Sequence, residues 1–362
     1  MQDELTDCKK TNRKIFLHIG MHKTGSTAIQ SAFHGYDNGR LLYAPLENEN
    51  HSIPFYTAFS GDHFSYHIWQ TAGLSDLEIA AKQRFYLKEI EQILSLNKDR
   101  DVFFSGEDIS VISKSGVEQI ASLFKKVDRD VTVIVYVRSP LSYATSALQE
   151  IIRQGSTNPV PERPDYRFKI EKFLDAFGCQ NVLIRDFHDL QNSSGDVVRD
   201  ISRLLNATSV QSVGLLNVGF STEAIKVVCK INKVIRAIGE PGWARECRTR
   251  CINHVRSILP GKFEVPAHLM SACIDSDDID WLRSVSGIDY RSDVSVARGQ
   301  ATGSLGEFLS EINTSTKDVI VEALLARDEP ENLPQQTDPL ILRYLLSFAN
   351  YDERKLDPNR YV

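Results

Sequence analysis

The chain has 362 residues, of which 42% are hydrophobic and 25% are charged, so it can bury one large core or two smaller ones. Its 42 basic and 48 acidic residues give a formal net charge of -6, which argues against nucleic acid or an anionic membrane as a partner. No apolar run approaches the roughly 20 residues that cross a bilayer, and the polar start does not resemble a signal peptide. These features predict a globular cytoplasmic protein without a transmembrane segment. Its six scattered cysteines are expected to be reduced thiols.

The first half of the chain alternates between apolar strands and segments with helical periodicity. Strands are expected at 14–19, 101–105, 131–137 and 181–184, and helices at 27–33, 109–124 and 197–205. The strand VTVIVYV at 131–137 is almost entirely apolar and β-branched, as is typical of a central parallel strand covered on both faces. The alternation predicts an α/β fold with a central parallel sheet flanked by helices, with ligands bound at the carboxyl ends of its strands.

The second half of the chain is predicted to be largely helical. Helical spacing is found at 223–238, 244–258 and 266–285, and again at 306–326 and 338–350. A segment rich in glycine and serine, at about 293–305, separates the two groups. We therefore expect an α/β domain over 1–292, whose last part from about 220 is helical, followed by a linker and a helical C-terminal extension over 293–362.

The loop after the first strand reads GMHKTGST, residues 20–27. It keeps the G-x4-G frame of a phosphate-binding loop, but Ser26 stands where an ATPase has its lysine, and Lys23 lies three places earlier. Successive backbone N–H groups and the positive end of the following helix form a cradle for a tetrahedral anion. The pattern therefore predicts an anion site in which Ser26 and Thr27 add hydroxyl donors.

A second candidate anion contact follows the strand at 131–137. That strand ends at Arg138, Ser139 and Pro140, and Ser146 stands eight residues after Arg138. Ser139 can cap the next helix, Pro140 suits its first turn, and Ser146 falls about two turns along it. The guanidinium of Arg138 offers a fork of donors that matches phosphate, although an arginine considered alone could equally form a structural ion pair.

The stretch FLHIGMHKTGSTAIQ, residues 16–30, resembles the 5′-phosphosulfate-binding loop of the sulfotransferases that use 3′-phosphoadenosine-5′-phosphosulfate (PAPS), especially their bacterial members. The spacing from Arg138 to Ser146 resembles the 3′-phosphate site of the same family, and VLIRDFHDL at 182–190 is a weaker match. The resemblance spans roughly residues 14–205. It implies a P-loop-like fold in which the helical part at about 220–292 corresponds to a lid.

The resemblance implies transfer of a sulfuryl group from PAPS to an acceptor hydroxyl by in-line displacement, with adenosine 3′,5′-bisphosphate (PAP) as the product and no metal. Lys23 would relieve charge on the leaving 5′-phosphate. The acceptor implied by bacterial relatives is a carbohydrate or glycolipid hydroxyl. The residues expected to bind the donor are Lys23, Thr24, Gly25, Ser26, Thr27, Ala28, Arg138 and Ser146.

The reaction also needs a base for the acceptor hydroxyl, and Glu107 is the first candidate. It follows the strand DVFFS closely, at a position where many bacterial members carry Ser-x-Glu. A structural interpretation is also open, in which Ser105 caps a helix and Glu107 is an acid of its first turn. The alternative bases are the histidines of the stretch at 48–72, which we expect to be irregular: His51, His63 and His67. His22 is expected to be a pocket-wall residue.

Parts of the family pattern are missing. Ala28 stands where the vertebrate cytosolic branch has an adenine-stacking tryptophan, and no RKGxxGDW-like loop is found, so adenine contacts are not assigned. Two other functions remain open. A divergent P-loop nucleotide kinase would need a lysine at 26, and a non-catalytic nucleotide-binding protein would keep the cradle without the chemistry.

Overall fold

Five parallel strands form the central sheet. The computed structural model describes residues 13–189, 196–210, 219–297, 303–327 and 333–349. The strands are β1 (Lys14–His18), β2 (Leu41–Tyr43), β3 (Asp101–Ser105), β4 (Asp130–Val137) and β5 (Val182–Asp186). They pair in the order β2-β3-β1-β4-β5, and each of these pairs is parallel.

Helices lie between the strands and account for the regular structure after them. In chain order they are α1 (Ser26–Phe33), α2 (Ser52–Phe59), α3 (His67–Ala72), α4 (Asp76–Leu96), α5 (Lys114–Lys126), α6 (Pro140–Arg153), α7 (Tyr166–Phe177), α8 (Val197–Leu204), α9 (Thr222–Ala237), α10 (Gly242–Ile258), α11 (Ser276–Ser286), α12 (Arg291–Ala297), α13 (Leu305–Ser310), α14 (Thr314–Leu325) and α15 (Thr337–Leu346). Short 3-10 helices occur at His63–Ser65, Asp108–Val111, Cys179–Asn181 and Ala267–Cys273. The predicted α/β class with a largely helical C-terminal part is confirmed. Among the helices that the structure describes, none combines the length and apolarity that a membrane crossing requires.

The strand order fixes where a ligand can bind. β1 lies between β3 and β4, with Ile15 opposite Val102 on one side and Val131 on the other. The chain leaves β1 towards β2 at one edge and leaves β4 towards β5 at the other edge. A crevice therefore opens beyond the carboxyl ends of β1 and β4, which is the usual ligand position in an open α/β sheet.

Contacts divide the chain into two compact units. The first contains the described residues of 1–138, 165–215 and 277–289, and therefore the whole sheet. The second contains those of 139–164, 216–276 and 290–362. The division cuts the chain at other points than the predicted boundary near residue 293.

The second unit is built around α9. Most of the residues of α9 are buried, including Ile225, Val228 and Ile231, which is expected of a helix surrounded by others. It packs against α6, α10, α13 and α15. α15 is itself buried from Pro339 to Leu342. The predicted C-terminal extension thus shares one apolar core with the predicted lid helices.

Sequence periodicity did not find every element. The stretch at 48–72, expected to be irregular, contains α2, a 3-10 turn and α3, and it is followed by the unpredicted 21-residue helix α4. β2 and α7 were not predicted either. The segment expected to be one helix at 266–285 is a 3-10 helix followed by α11. The expected glycine- and serine-rich linker lies partly outside the described residues, as does the end of the VLIRDFHDL segment.

A buried carboxylate ties β4, β5 and α8 together. Arg185 donates two hydrogen bonds of 2.7 Å to Asp200, one to each carboxylate oxygen, and the Tyr136 hydroxyl donates to Oδ2 at 2.8 Å. Asp200 is buried, so its charge is compensated by the bidentate arginine and the hydroxyl. These contacts hold α8 on the sheet next to the crevice.

Replacing Asp200 with alanine is expected to lower the free energy of unfolding by about 2–4 kcal/mol, because it leaves Arg185 and Tyr136 without their acceptor. The matched control is Asp175→Ala, which breaks the exposed Lys114–Asp175 pair and should cost far less, because solvent screens that pair. Urea titration followed by circular dichroism measures both variants. Equal losses would mean that the buried network contributes no more than a surface ion pair.

Candidate functional site

The loop between β1 and α1 has the backbone shape of an anion cradle. Gly20, Lys23 and Gly25 have left-handed conformations, with φ of 65°, 67° and 83°. Left-handed residues that alternate with right-handed ones turn successive N–H groups to the same side. The conformation is unusual for a lysine, and such strain is common at binding and catalytic sites. The observed backbone conformation is therefore consistent with the predicted anion-binding loop.

The start of α1 leaves polar groups for a ligand. Gly25 is its N-cap, and no side chain of the described residues caps it. Ser26 Oγ is buried and has no hydrogen-bond partner within the described part of the chain. Thr24 is also buried, and its hydroxyl donates to the Met21 carbonyl at 2.6 Å, which stabilises the loop itself. Of the remaining predicted donors, Thr27 is exposed and Ala28 is partly buried.

Arg138 lies directly after β4 and contacts the loop. Its Nη1 donates to the Lys23 carbonyl at 2.9 Å, and its guanidinium carbon lies 5.6 Å from the centre of the Phe187 ring. Tyr166 donates its hydroxyl to the Arg138 carbonyl. The carboxyl ends of β1 and β4 are thus joined through the arginine, as expected for a residue beside the crevice.

Ser146 lies partly buried in α6, where Ser139 caps the helix and Pro140 occupies its first turn as predicted. Because Arg138 belongs to the first unit and Ser146 to the second, their joint binding of a 3′-phosphate stays a prediction.

Glu107 follows β3 and packs directly on the loop. A Cβ atom placed on Gly20 would lie 2.5 Å from the Glu107 Cα atom, so only glycine fits. Gly106 is equally close to the backbone of His51 and Ser52. Ser105 is buried, and its hydroxyl lies 2.8 Å from His18 Nδ1. The alternative interpretation, in which Ser105 caps a helix that contains Glu107, is therefore wrong. Glu107 instead begins the 3-10 helix Asp108–Val111.

His22 binds two carboxylates, which the sequence did not reveal. Its Nδ1 lies 3.1 Å from Glu107 Oε2, and its Nε2 lies 3.3 Å from Asp108 Oδ1. The other oxygen of Asp108 accepts the Tyr66 hydroxyl at 2.5 Å. The hydrogen bonds to Asp108 and Glu107 raise the pKa of His22 to about 9, so the ring is an imidazolium at neutral pH. The sequence placed His22 in the pocket wall, but it did not predict the contacts of His22 with Glu107 and Asp108 or that of Tyr66 with Asp108; the loop position of His22 was the available signal.

The three histidines considered as alternative bases have different surroundings. His51 is buried, stacks on Tyr43 and accepts the Ser105 N–H at 3.1 Å; burial lowers its pKa to about 3. His63 is buried too, with Nδ1 2.8 Å from the Ser60 carbonyl. His67 is exposed at the start of α3, edge-on to the Tyr66 ring. Of the three, only His67 is accessible to an acceptor.

Aromatic side chains lie beside the two carboxylates. Tyr56 stacks on Tyr66 with ring centres 4.2 Å apart, and Phe64 and His67 are exposed nearby in sequence. Phe55 and Trp69 are buried and belong to the packing of α2 and α3. In the part of the chain that the structure describes, no group of three or more His, Cys, Asp or Glu residues is arranged to hold a metal ion.

The likeness of this chain to known proteins is structural and of low sequence identity. No family model matches the chain, and no curated protein matches it. Among solved structures, the chain is similar to a sulfotransferase from Alicyclobacillus acidocaldarius. The identity is 13% and the TM-score is 0.39, and the alignment covers 55% of this chain and 83% of that one.

Replacing Gly20 with alanine is expected to destabilise the chain more than replacing Gly73. Both glycines have φ near 66°, so both variants lose about 1–2 kcal/mol from the left-handed conformation. Gly73 has nothing within 4 Å of an added Cβ, whereas Gly20→Ala also collides with the Glu107 backbone, for about 1–3 kcal/mol more. Urea titration of both variants measures the difference. Equal losses in the free energy of unfolding would show that a Cβ atom at position 20 does not collide with the Glu107 backbone.

Proposed function

We propose that this protein transfers a sulfuryl group from PAPS to an acceptor hydroxyl, with Glu107 as the base. The observation that carries the proposal is the close packing of the predicted anion loop, at Gly20, against the backbone of Glu107. A cradle for an anion and a group that accepts a proton are the two elements that this reaction needs.

The residues of the loop fit a sulfated nucleotide. The buried Ser26 hydroxyl would gain a partner from a bound anion, and the start of α1 would gain a charge that favours its dipole. Thr24, Gly25, Thr27 and Ala28 would contribute mainly backbone N–H groups. Bound there, the donor supplies the sulfuryl group, which passes to the acceptor oxygen as its bond to the 5′-phosphate breaks.

Charge has to be balanced on both sides of the transferred group. The ammonium of Lys23 would offset the negative charge that develops on the leaving phosphate. Glu107 would take the proton of the acceptor hydroxyl as its oxygen bonds to sulfur. Arg138, which is matched to phosphate, would bind the 3′-phosphate together with Ser146.

A carbohydrate is the acceptor class that we propose. The partly exposed Tyr56 stacks on the buried Tyr66, which donates to the Asp108 carboxylate, and the exposed Phe64 and His67 are close to them in sequence. Aromatic rings pack against the apolar faces of sugars, and carboxylates accept hydrogen bonds from sugar hydroxyls. This combination favours a sugar hydroxyl, on a glycan or a glycolipid, over a simple apolar alcohol.

PAP added without magnesium is expected to raise the melting temperature by about 4–8 °C at a hundredfold excess over its Kd. Lys23→Met should weaken PAP binding about 10- to 100-fold, because it removes one charge-assisted contact. Lys125→Met, on an exposed position of α5, is the matched control and should bind PAP as the wild type does. Differential scanning fluorimetry and calorimetry measure both effects.

The same titration tests the alternative functions. ADP with magnesium should stabilise the protein far less than PAP does. A larger shift with ADP and magnesium would favour a divergent nucleotide kinase and overturn the proposal.

Glu107→Gln is expected to lower kcat about 100- to 10,000-fold, since the amide cannot accept the proton. PAP binding should be unchanged, because the substitution keeps the shape of the side chain. Transfer of labelled sulfate from PAPS to a panel of polysaccharides, glycolipids and phenols measures the rate. Glu118→Gln, which removes an exposed carboxylate of α5, should leave the rate unchanged. A wild-type rate in Glu107→Gln would exclude this residue as the base.

A further inference from the structure

The ring of His22 bridges two acidic side chains at the edge of the proposed catalytic site. One ring nitrogen lies 3.1 Å from Glu107 and the other lies 3.3 Å from Asp108. A neutral imidazole has one N–H donor, whereas an imidazolium has two. Only the charged ring can therefore donate to both carboxylates at once.

The surroundings of His22 keep the ring charged. Hydrogen bonds to Asp108 and then Glu107 outweigh burial and raise the pKa of His22 to about 9. Burial raises the pKa of Asp108, but the hydrogen bonds from His22 and Tyr66 outweigh it and hold that pKa below its usual value. Asp108 is thus ionised and the imidazole is protonated at neutral pH. Other titratable groups near these three are Tyr56, Tyr66, His67 and, next in the chain, Lys23.

The charges of this triad of His22, Glu107 and Asp108 add up to a net -1. Asp108 offsets the positive charge, and Tyr66 holds the second oxygen of Asp108 at 2.5 Å. The hydrogen bond from His22 therefore orients the Glu107 carboxylate.

His22 also belongs to the loop that would hold the donor. It lies between Gly20, which packs on the Glu107 backbone, and Lys23, whose carbonyl accepts from Arg138. One short segment thus contacts both the backbone and the side chain of Glu107. Any shift of the loop would move the carboxylate with it.

We propose that His22 is a positioning residue, held by Asp108, that fixes the Glu107 carboxylate for proton abstraction from the acceptor. The inference rests on the proposed function. When Glu107 takes the proton of the acceptor hydroxyl, His22 keeps both of its protons and stays bound to Asp108. Loss of the imidazolium proton at alkaline pH leaves one carboxylate without its donor.

Histidine side-chain NMR tests the triad without any enzymatic assay. His22 of the full chain should titrate near pH 9, and both Asp108→Asn and Glu107→Gln should lower that pKa. Because the folded pKa lies above the unfolded value, the stabilisation is complete below pH 6.5 and is lost as pH rises through about 9. If His22 titrates near pH 6.5 and neither substitution changes its pKa, the inference is overturned and the proposed function stays intact.

Kinetics tests the positioning role. The wild-type rate should fall as pH rises through about 9. His22→Gln should lower kcat about 10- to 100-fold, leave the Kd for PAP unchanged and remove that alkaline limb of the pH profile. The matched control is His34→Gln, at an exposed position just after α1. This variant should have the kcat and the pH profile of the wild type. An unchanged kcat and pH profile in His22→Gln would overturn the inference. A wild-type protein that binds PAP but transfers no sulfate to any acceptor would instead overturn the proposed function, whatever the NMR result.

Discussion

The contact between Gly20 and the backbone of Glu107 is the constraint on which the site depends. β1 and β3 are neighbours in the sheet, and the segments that follow them approach so closely that no side chain fits at position 20. A second glycine, Gly106, allows the start of α2 to pack against the same turn. The loop predicted to bind an anion therefore packs directly on the acidic residues after β3. Their relative position is set by backbone packing and not by flexible side chains.

Hydrogen-bond donors and charged side chains surround the loop. The loop offers N–H groups and an uncapped helix end, and Arg138 contacts it through the Lys23 carbonyl. On the other side, His22 is bound by Glu107 and Asp108, so a positive group separates two negative ones. The loop thus presents donors that suit an anion, and the other side presents carboxylates that suit a proton. A sulfuryl transfer between a nucleotide and a hydroxyl would use both.

Away from the crevice, each unit has its own means of support. In the first unit, the buried Asp200 joins β4, β5 and α8 through Arg185 and Tyr136, which holds one wall of the crevice on the sheet. In the second unit, the support is apolar, since α9 is surrounded by helices that come from distant parts of the chain. Helices from the last fifth of the sequence are part of that core. They are structural components of the second unit and not an independent appendage.

Local sequence determined four of the five strands of the described sheet, the loop and the helices at 222–258. Apolar β-branched runs, the glycine spacing and the Ser139–Pro140 helix start are local signals, and local physics decides them. The α/β class followed from the alternation of these elements. Periodicity missed α7 because three of its five buried positions are Tyr166, Lys169 and Lys172, residue types for which tertiary contacts decide burial. Only the tertiary structure decided the left-handed Lys23 and the bridge from His22 to Glu107 and Asp108, because 85 residues separate the histidine from Glu107. Strand pairing brings such distant residues together, and local sequence patterns do not indicate which residues will be in contact.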